Sequence, residues 1–505
     1  MHDAPRRRVA PVGECGDDEP GGVVQELIDR ALDGAQRAGA SYADVRLVER
    51  RSEELKVKNG ELEAASSATS EGFGIRMLVD GAWGFSSSSL LEPREAERVA
   101  REAAEIARAS GLAQRERVVL DETPPVVASY RTPVQEDPFG VGLDQKLAIL
   151  VEADAAIARV PGVAIRNASM SFDRERKTFA STEGSRIEQE IVESGAGIEA
   201  TAVDDSEVQA RSYPNSWGGQ FVTGGFEAVR ALRLADHGEE IAEQAVALLG
   251  APQCPSGEMT LVLDATQVAL QLHESCGHPT ELDRVLGTEA SYAGTSFLTT
   301  DKLGHFRYGS ELVNIDADAT APGGLGTFGY DDEGVPAQRA ALVERGTLTG
   351  YLTSREMAPT IGRQSMGSAR AWSWNLIPLI RMTNINLRPG EAGGLQDLIA
   401  DTKDGIFMAT NKSWSIDDRR LNFQFGDQVG WLIRDGKLTQ MVRNPTYTGI
   451  TPQFWGSCDA IGGQSAYTIW GIPNCGKGEP GQVGHVGHGA APARFRNVKV
   501  GVGRW

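Results

Sequence analysis

Within the first 250 residues the hydrophobic period changes in the same order twice, and this repetition constrains the fold more than any other feature. Val23, Val24, Leu27, Ile28 and Leu32 recur at helical spacing, after which Ala43, Val45 and Leu47 alternate with polar residues as in a half-buried strand. Asn59-Gly60 and Asp80-Gly81 are two-residue hairpin signals, and a second helix is expected over about 93–110. The order then returns. A helix near 143–158 precedes Val163 and Ile165 in alternation and a turn at Glu183-Gly184, and Gly195-Ala196-Gly197-Ile198 takes the place of Gly72-Phe73-Gly74-Ile75. A long helix over about 225–249 closes the second unit. Turn and glycines are similarly spaced in both, which predicts an internally duplicated helix–sheet–helix unit.

The stretch 250–257 holds two prolines and two glycines and reads as an interdomain linker. Beyond it the pattern becomes strands and turns, at 312–315, 341–343, 348–352 and 431–438, with helices only after Asp264 and around 394–402. Fifty-nine glycines suit many tight turns. The expected class is α+β: a flexible tail over 1–21, an N-terminal α/β domain over 22–249, and a β-rich, barrel-like C-terminal domain over 258–505. A formal charge of −19 argues against nucleic acid or an anionic membrane surface as partners. Five cysteines, an odd number, fit a reducing compartment better than a disulfide framework. No apolar core follows Arg6-Arg7-Arg8, and no run approaches ~18 apolar residues. A cytoplasmic protein is expected.

Chemistry concentrates in His273-Glu274-Ser275-Cys276-Gly277-His278. The apolar run 259–263, a credible N-cap at Asp264, and a stretch from Ala265 to Cys276 without Pro or Gly predict a strand feeding a helix. Two imidazoles at i and i+5 lie roughly 140° apart on an ideal α-helix, too far for one ion. A wide π-type turn, at roughly 4.4 residues per turn, brings them within ~50°, and such turns favour functional sites. Gly277 is the residue most able to take an unusual backbone conformation there. Glu281 and Asp283 follow closely enough to orient a ligating imidazole.

A catalytic zinc commonly takes three protein ligands and keeps one open position. The third candidates are Glu281, Cys458, Cys475, His485 and His488. Cys475 stands out because a Pro/Gly-framed loop at 472–478 leaves room around its sulfur and Lys477 would favour the thiolate. Cys276 is expected to be a packed side chain, and Cys254 and Cys458 to be structural. His485 and His488 fall in a glycine-rich stretch expected to be a mobile loop. Trp372, Trp374, Trp414, Trp431, Trp455 and Trp470 read mostly as core, with some lining a groove.

The run from His273 to Asp283, with Pro473-Asn474-Cys475-Gly476-Lys477-Gly478, resembles the TldD branch of the TldD/PmbA family. Tyr42-Ala43-Asp44-Val45-Arg46, Gly72-Phe73-Gly74-Ile75-Arg76, Asp331-Asp332-Glu333-Gly334 and Arg381-Met382-Thr383-Asn384 resemble family segments in the same order, so the likeness extends from about residue 22 onward. The resemblance implies a zinc metallopeptidase with His273, His278 and Cys475 as metal ligands and Glu274 as general base. It also implies unfolded or small peptides as substrates, bound in extended form, with leader-peptide trimming among the family's activities. A heterodimer with a motif-less paralogue, or a homodimer, is the implied assembly. Two other classes remain open: a structural zinc site in a binding or modulator protein, where all four positions are filled by protein, and a zinc hydrolase of small amides.

Overall fold

The computed structural model describes residues 20–501. The expected tail at 1–21 lies outside these, apart from Pro20 and Gly21, which open helix α1 (Pro20–Arg37). Proline is tolerated there because first-turn N–H groups have no intrahelical partner.

The duplication is visible in the element order. Helix α1 leads to strands β1 (Tyr42–Lys58), β2 (Glu61–Val79) and β3 (Ala82–Ser88) and helix α2 (Pro93–Gly111). After β4 (Val127–Arg131), helix α3 (Leu143–Ala158) leads to β5 (Val163–Ser181), β6 (Arg186–Val203), β7 (Val208–Tyr213) and β8 (Gln220–Thr223), then α4 (Glu227–Ala231) and α5 (Leu234–Gly250). All eight strands form one sheet, ordered β3-β2-β1-β5-β6-β4, with β7 and β8 also on β6. The two units meet where β1 and β5 pair antiparallel over their length. Both hairpin signals form turns with both central residues at positive φ, Asn59 and Gly60 at 51° and 83°, Asp80 and Gly81 at 53° and 83°. That is the turn whose twist matches paired strands. Helices α1 and α2 bury Leu27, Val99 and Ala103 against Phe73, Ile75 and Met77, and α3 and α5 bury Leu150, Ile157 and Ile241 against Phe172 and Ile198.

One helix differs from expectation. The run 225–249 breaks between α4 and α5, where Arg233 adopts φ 48°. The break lets Phe226, Val229 and Leu234 all turn into the core, which a single straight helical face could not do.

The segment 250–257 is tied down. Its Cys254 N–H donates to Arg443 O, Arg443 N–H donates to Pro252 O, both at 3.0 Å, and Cys254 is buried. Strand β9 (Gly257–Leu263) then joins Ala493–Val500, Thr446–Ile450, Asn422–Arg434 and Asp404–Ile416 in a closed five-stranded barrel, the last pairing parallel with β9. The expected run 431–438 is a hairpin turned at Asp435-Gly436 between Asn422–Arg434 and Lys437–Val442. At 348–352 only Thr347–Leu348 is strand, because Leu352 N–H donates to Thr280 O beside the site rather than to a ladder. The first expected strand starts later, at Ile315, since Leu312 is exposed.

The turn Asp331-Asp332-Glu333-Gly334 docks the C-terminal part onto the open face of the large sheet. Asp332 pairs with Lys177 at 2.7 Å and Arg46 at 3.4 Å, and Glu333 with Arg76 at 3.2 Å. Buried pairs of this kind add little net stability but specify how two surfaces fit.

Candidate metal centre

Strand β9 ends at Asp264, whose carboxylate accepts from the backbone N–H of Thr266 and Gln267 at 3.2 and 3.0 Å and so caps helix α6 (Ala265–Leu272). Every residue of α6 is buried, and Gln267 and Gln271 clasp the Tyr447 hydroxyl of the barrel at 2.8 and 3.0 Å. The helix then widens into a π-turn over His273–Gly277 and tightens into a 3-10 turn over His278–Thr280. Neighbours hold this irregular backbone: Tyr308 donates to Ser275 O, Thr280 to Cys276 O, and the Trp455 indole to Ser275 Oγ, at 2.8–2.9 Å.

Gly277 serves a different purpose from the expected one. Its φ of −56° is ordinary helical backbone, but a Cβ there would sit 2.1 Å from Met382 Sδ. Space, rather than conformational freedom, requires glycine.

The π-turn brings the two histidines together, their ring centroids 4.8 Å apart and nearly perpendicular. Cys475 joins them, with its Sγ 3.8 Å from His278 Nε2, and one ligand atom from each of the three lies within 4.8 Å of the others. Nitrogen and sulfur ligands on one tetrahedral zinc stand roughly 3.5 Å apart, so the donor set fits that ion with small adjustment. The second ring nitrogens are also engaged. His278 Nδ1 lies 2.9 Å from Glu281 Oε2, and His273 Nδ1 lies 2.8 Å from His488 Nε2, leaving the Nε2 atoms of His273 and His278 as free donors. The second nitrogen of His488 approaches the Ile385 backbone without reaching hydrogen-bond geometry.

Cys475 lies in a strand, not the expected loop. Thr468–Lys477 and Gln482–Ala490 form an antiparallel ribbon that pairs Cys475 with Gly484 and Trp470 with His488. Alternation puts Cys475 and His488 on the face toward α6 and His485 on the opposite face. His488 is fully buried and His485 nearly so, not in a mobile loop, because glycines at 484, 487 and 489 allow close packing and the two strands pair on both sides of His485. His485 Nδ1 lies 2.5 Å from Glu193, and its ring packs on Trp372. Of the five third-ligand candidates, Cys475 meets the histidine pair, Glu281 and His488 stand behind it, and Cys458 and His485 lie elsewhere.

Lys477 favours the thiolate through its charge, as expected, while its buried ammonium is held directly by Asp283 at 2.7 Å and Glu281 at 3.4 Å. The cation acting most strongly on the sulfur is Arg381, whose guanidinium donates to Cys475 O. Burial still dominates and pushes the thiol up to about 11. Burial likewise holds His273 and His278 well below the usual imidazole range, aided by the charges of their neighbours.

One participant is left undistinguished by the sequence and another is missed by it. His488 was named only as one of five, and Arg420 not at all. The Arg420 guanidinium is hydrogen-bonded to Glu274 from a turn where Arg420 has φ 63°. Burial raises the Glu274 carboxyl above the usual range, and Arg420 pulls against that rise. No local signal marks this arginine, which lies 146 residues from its partner. Among the tryptophans, Trp455 is buried, Trp372 stacks under Arg50, and Trp414 is exposed.

Three domain models of one family match the chain in order: PmbA/TldA metallopeptidase domain 1 over 43–107, the central domain over 136–249, and the C-terminal domain over 256–501. The chain belongs to the PmbA/TldD metallopeptidase family. A metalloprotease of Methanothermobacter thermautotrophicus is 31% identical over 488 residues, covering 97% of this chain and 99% of its own. A zinc metalloprotease TldD homolog of Saccharolobus solfataricus is 23% identical over 477 residues, 92% of this chain and 98% of its own. Two solved structures share the fold. A Thermotoga maritima protein, provisionally described as a modulator of a DNA gyrase, superposes with TM-score 0.74 at 19% identity over 94% of this chain and 99% of its own. TldE from Thermococcus kodakarensis superposes with TM-score 0.70 at 18% identity, over 94% and 100%. No helix among the described residues is long and apolar enough to cross a membrane.

Proposed function

We propose that this chain is a zinc-dependent peptidase of unfolded or small peptides bound in extended form, leader peptides included, with His273, His278 and Cys475 as metal ligands and Glu274 as general base. The observation that carries the reading is the convergence of two nitrogens and one sulfur, from elements 197 residues apart, with the Glu274 carboxylate acting electrostatically on that sulfur. Preference for peptides over small amides rests on the family, whose relatives along nearly the whole chain are named metalloproteases. The proposed partner is a second chain of the same fold, a motif-less paralogue or another copy.

Zinc, when bound, supplies Lewis acidity toward the scissile carbonyl and lowers the pKa of water. The chain's own groups do the rest. Glu281 accepts from His278 Nδ1 and His488 from His273 Nδ1, which fixes both rings with Nε2 lone pairs turned to the shared point. Arg420 holds one oxygen of Glu274 and opposes the rise that burial imposes on this carboxyl, favouring the ionised form; the carboxylate takes a proton from the attacking water and delivers it to the leaving amine. No covalent intermediate is needed. Substitution of Glu274 by Gln should leave zinc content at one per chain and lower hydrolysis of an unfolded protein by about 10²–10⁴-fold. Retained turnover would remove Glu274 as the base. A structural zinc site would need a fourth protein donor, and His488 instead spends its Nε2 on His273. A small-amide hydrolase would prefer simple amides to unfolded chains when the two are compared.

A further inference from the structure

Where the C-terminal part sits on the open face of the large sheet, the two enclose a cavity of about 50 Å³. Strands β1, β5 and β6 line one side, and 370–372, Arg381 and 483–485 the other. One water position needs about 10–15 Å³, so the space admits a group of a few heavy atoms and no peptide segment. The cavity lies across the ribbon from the metal centre: Cys475 faces α6, and His485, on the opposite face, is part of the lining. Arg50 and Trp372 stand at its mouth, both partly exposed.

Each carboxylate of the lining has a basic partner. Asp332 is held by Lys177 and Arg46, Glu175 by Lys177 at 2.9 Å and Arg50 at 3.2 Å, and Glu193 by His485 at 2.5 Å, while Asp173 stands 4.0 Å from Arg50. The reverse does not hold. Arg370 and Arg381 form no ion pair among the described residues; Arg370 donates to the backbone O of Met382 and His485, and Arg381 to that of Gln482 and Cys475. Arg381 is only 2% exposed. Burial first, and the charge of Arg381 next, pull Arg370 down to about 10 in spite of Asp332, Glu193 and Glu175. The buried side-chain atoms of the lining that lack a hydrogen-bond partner are all arginine N–H groups: Nε of Arg370, Nε of Arg381, and Nε and Nη1 of Arg50. Buried charges are ordinarily paired, and here the chain gives two neighbouring cations no carboxylate of their own.

We propose that Arg370 and Arg381, with Arg50 at the mouth, form a binding site for one small oxyanion, the carboxylate or phosphate group of a ligand. An oxyanion offers acceptors only, which is what unpartnered N–H groups require, and it carries the sign that opposes the two unpaired charges. A neutral amide would leave those charges unopposed, and a cation would add to them. Planar guanidinium groups grip carboxylate and phosphate through paired N–H donors, so arginine suits the task better than lysine. The Arg50 guanidinium lies 3.6 Å over the Trp372 ring, which fixes its plane at the entrance. The remainder of a larger ligand would leave past these two residues.

The test reads binding, not activity, so it stands apart from the peptidase reading. Isothermal titration of the full chain at constant ionic strength uses three probes: inorganic phosphate, acetyl-dialanine with a free terminal carboxylate, and the amide of the same dipeptide. Saturable binding at one site per chain is expected for phosphate, for the acid, or for both, and none for the amide; the probe that binds identifies the source of the oxyanion. Arg370→Gln should weaken that binding at least tenfold, the loss expected for a charged hydrogen-bond donor. Arg176→Gln, at an exposed arginine of the same sheet, should change it less than twofold. Should Arg370→Gln fail to fold, Arg50→Gln, at a partly exposed position, should show a loss of about tenfold. Binding should also persist after zinc is removed by a chelator, which separates this site from the metal centre. No saturable binding of either anion, an amide that binds as tightly as the acid, a folded Arg370→Gln protein with wild-type affinity, or binding that disappears with the zinc would each overturn the proposal.

Discussion

Replacing Gly277 by Ala tests whether the site depends on close packing beneath the π-turn. The added Cβ would lie 2.1 Å from Met382 Sδ and 3.2 Å from Met382 Cε and Cγ. Carbon and sulfur pack comfortably at roughly 3.5–4.0 Å, so the sulfur must retreat by about 1.5 Å. Met382 is fully buried among Leu272, Cys276 and Ile385, and overpacking of this kind costs about 1–3 kcal/mol. The backbone at 277 is ordinary helical, so alanine returns about 0.5–1 kcal/mol of conformational preference. The net is a loss of about 1–2 kcal/mol, which for a unit of this size lowers the thermal midpoint by roughly 2–8 °C. Calorimetry and zinc analysis together report it, because Gly277 is bonded directly to His278. Met382→Ala should relieve the clash, so the cost of the alanine should shrink by about 1 kcal/mol or more in that background. A Gly277→Ala protein as stable as wild type, or a strictly additive double mutant, would refute the steric account.

Glu281→Gln preserves shape but removes the negative charge at His278 Nδ1, and zinc affinity measured by chelator competition should fall about 10–100-fold. Unchanged affinity would show that Glu281 does not support the ring. Zinc uptake should also depend on pH in a defined way. The Cys475 thiol, pushed up to about 11, must lose a proton on binding, whereas His273 and His278, held well below the usual range, are already neutral. Apparent affinity should therefore rise about tenfold per pH unit from pH 7 to 9 with one proton released; a flat profile, or a slope of two, contradicts these assignments. Arg420→Met removes the charge that opposes burial at Glu274, so its carboxyl should rise further and the acid limb of the rate profile should move to higher pH with zinc content unchanged. An unmoved limb would detach Arg420 from the base.

Several elements were legible because their causes are local. Asn59-Gly60 and Asp80-Gly81 turn where hairpins were expected, since positive φ at both central residues is a property of those two residues. The periodic runs gave α2 and α3 within a residue of their ends. Misreadings came where local preference met a global demand. The run 225–249 has no proline, and its glycines lie at 225 and 238, yet it breaks at Arg233 to satisfy the sheet. Glycine-rich 484–489 reads as a loop, yet it is strand because those glycines are pressed against Arg381, Asn384 and Tyr467. Cys475 reads as a loop residue framed by Pro473 and Gly476, yet it lies in a strand paired with Gly484.

The sequence alone determined the repeated helix–sheet order and the need for a widened turn between His273 and His278, because backbone period and angular spacing follow from residue order within one or two turns. Which distant groups face that turn was decided only by tertiary structure. Ribbon register and strand alternation select Cys475 and His488 and turn His485 away, and a folded-back turn delivers Arg420. Contacts separated by 146–215 residues depend on how whole sheets pack, which no local pattern encodes.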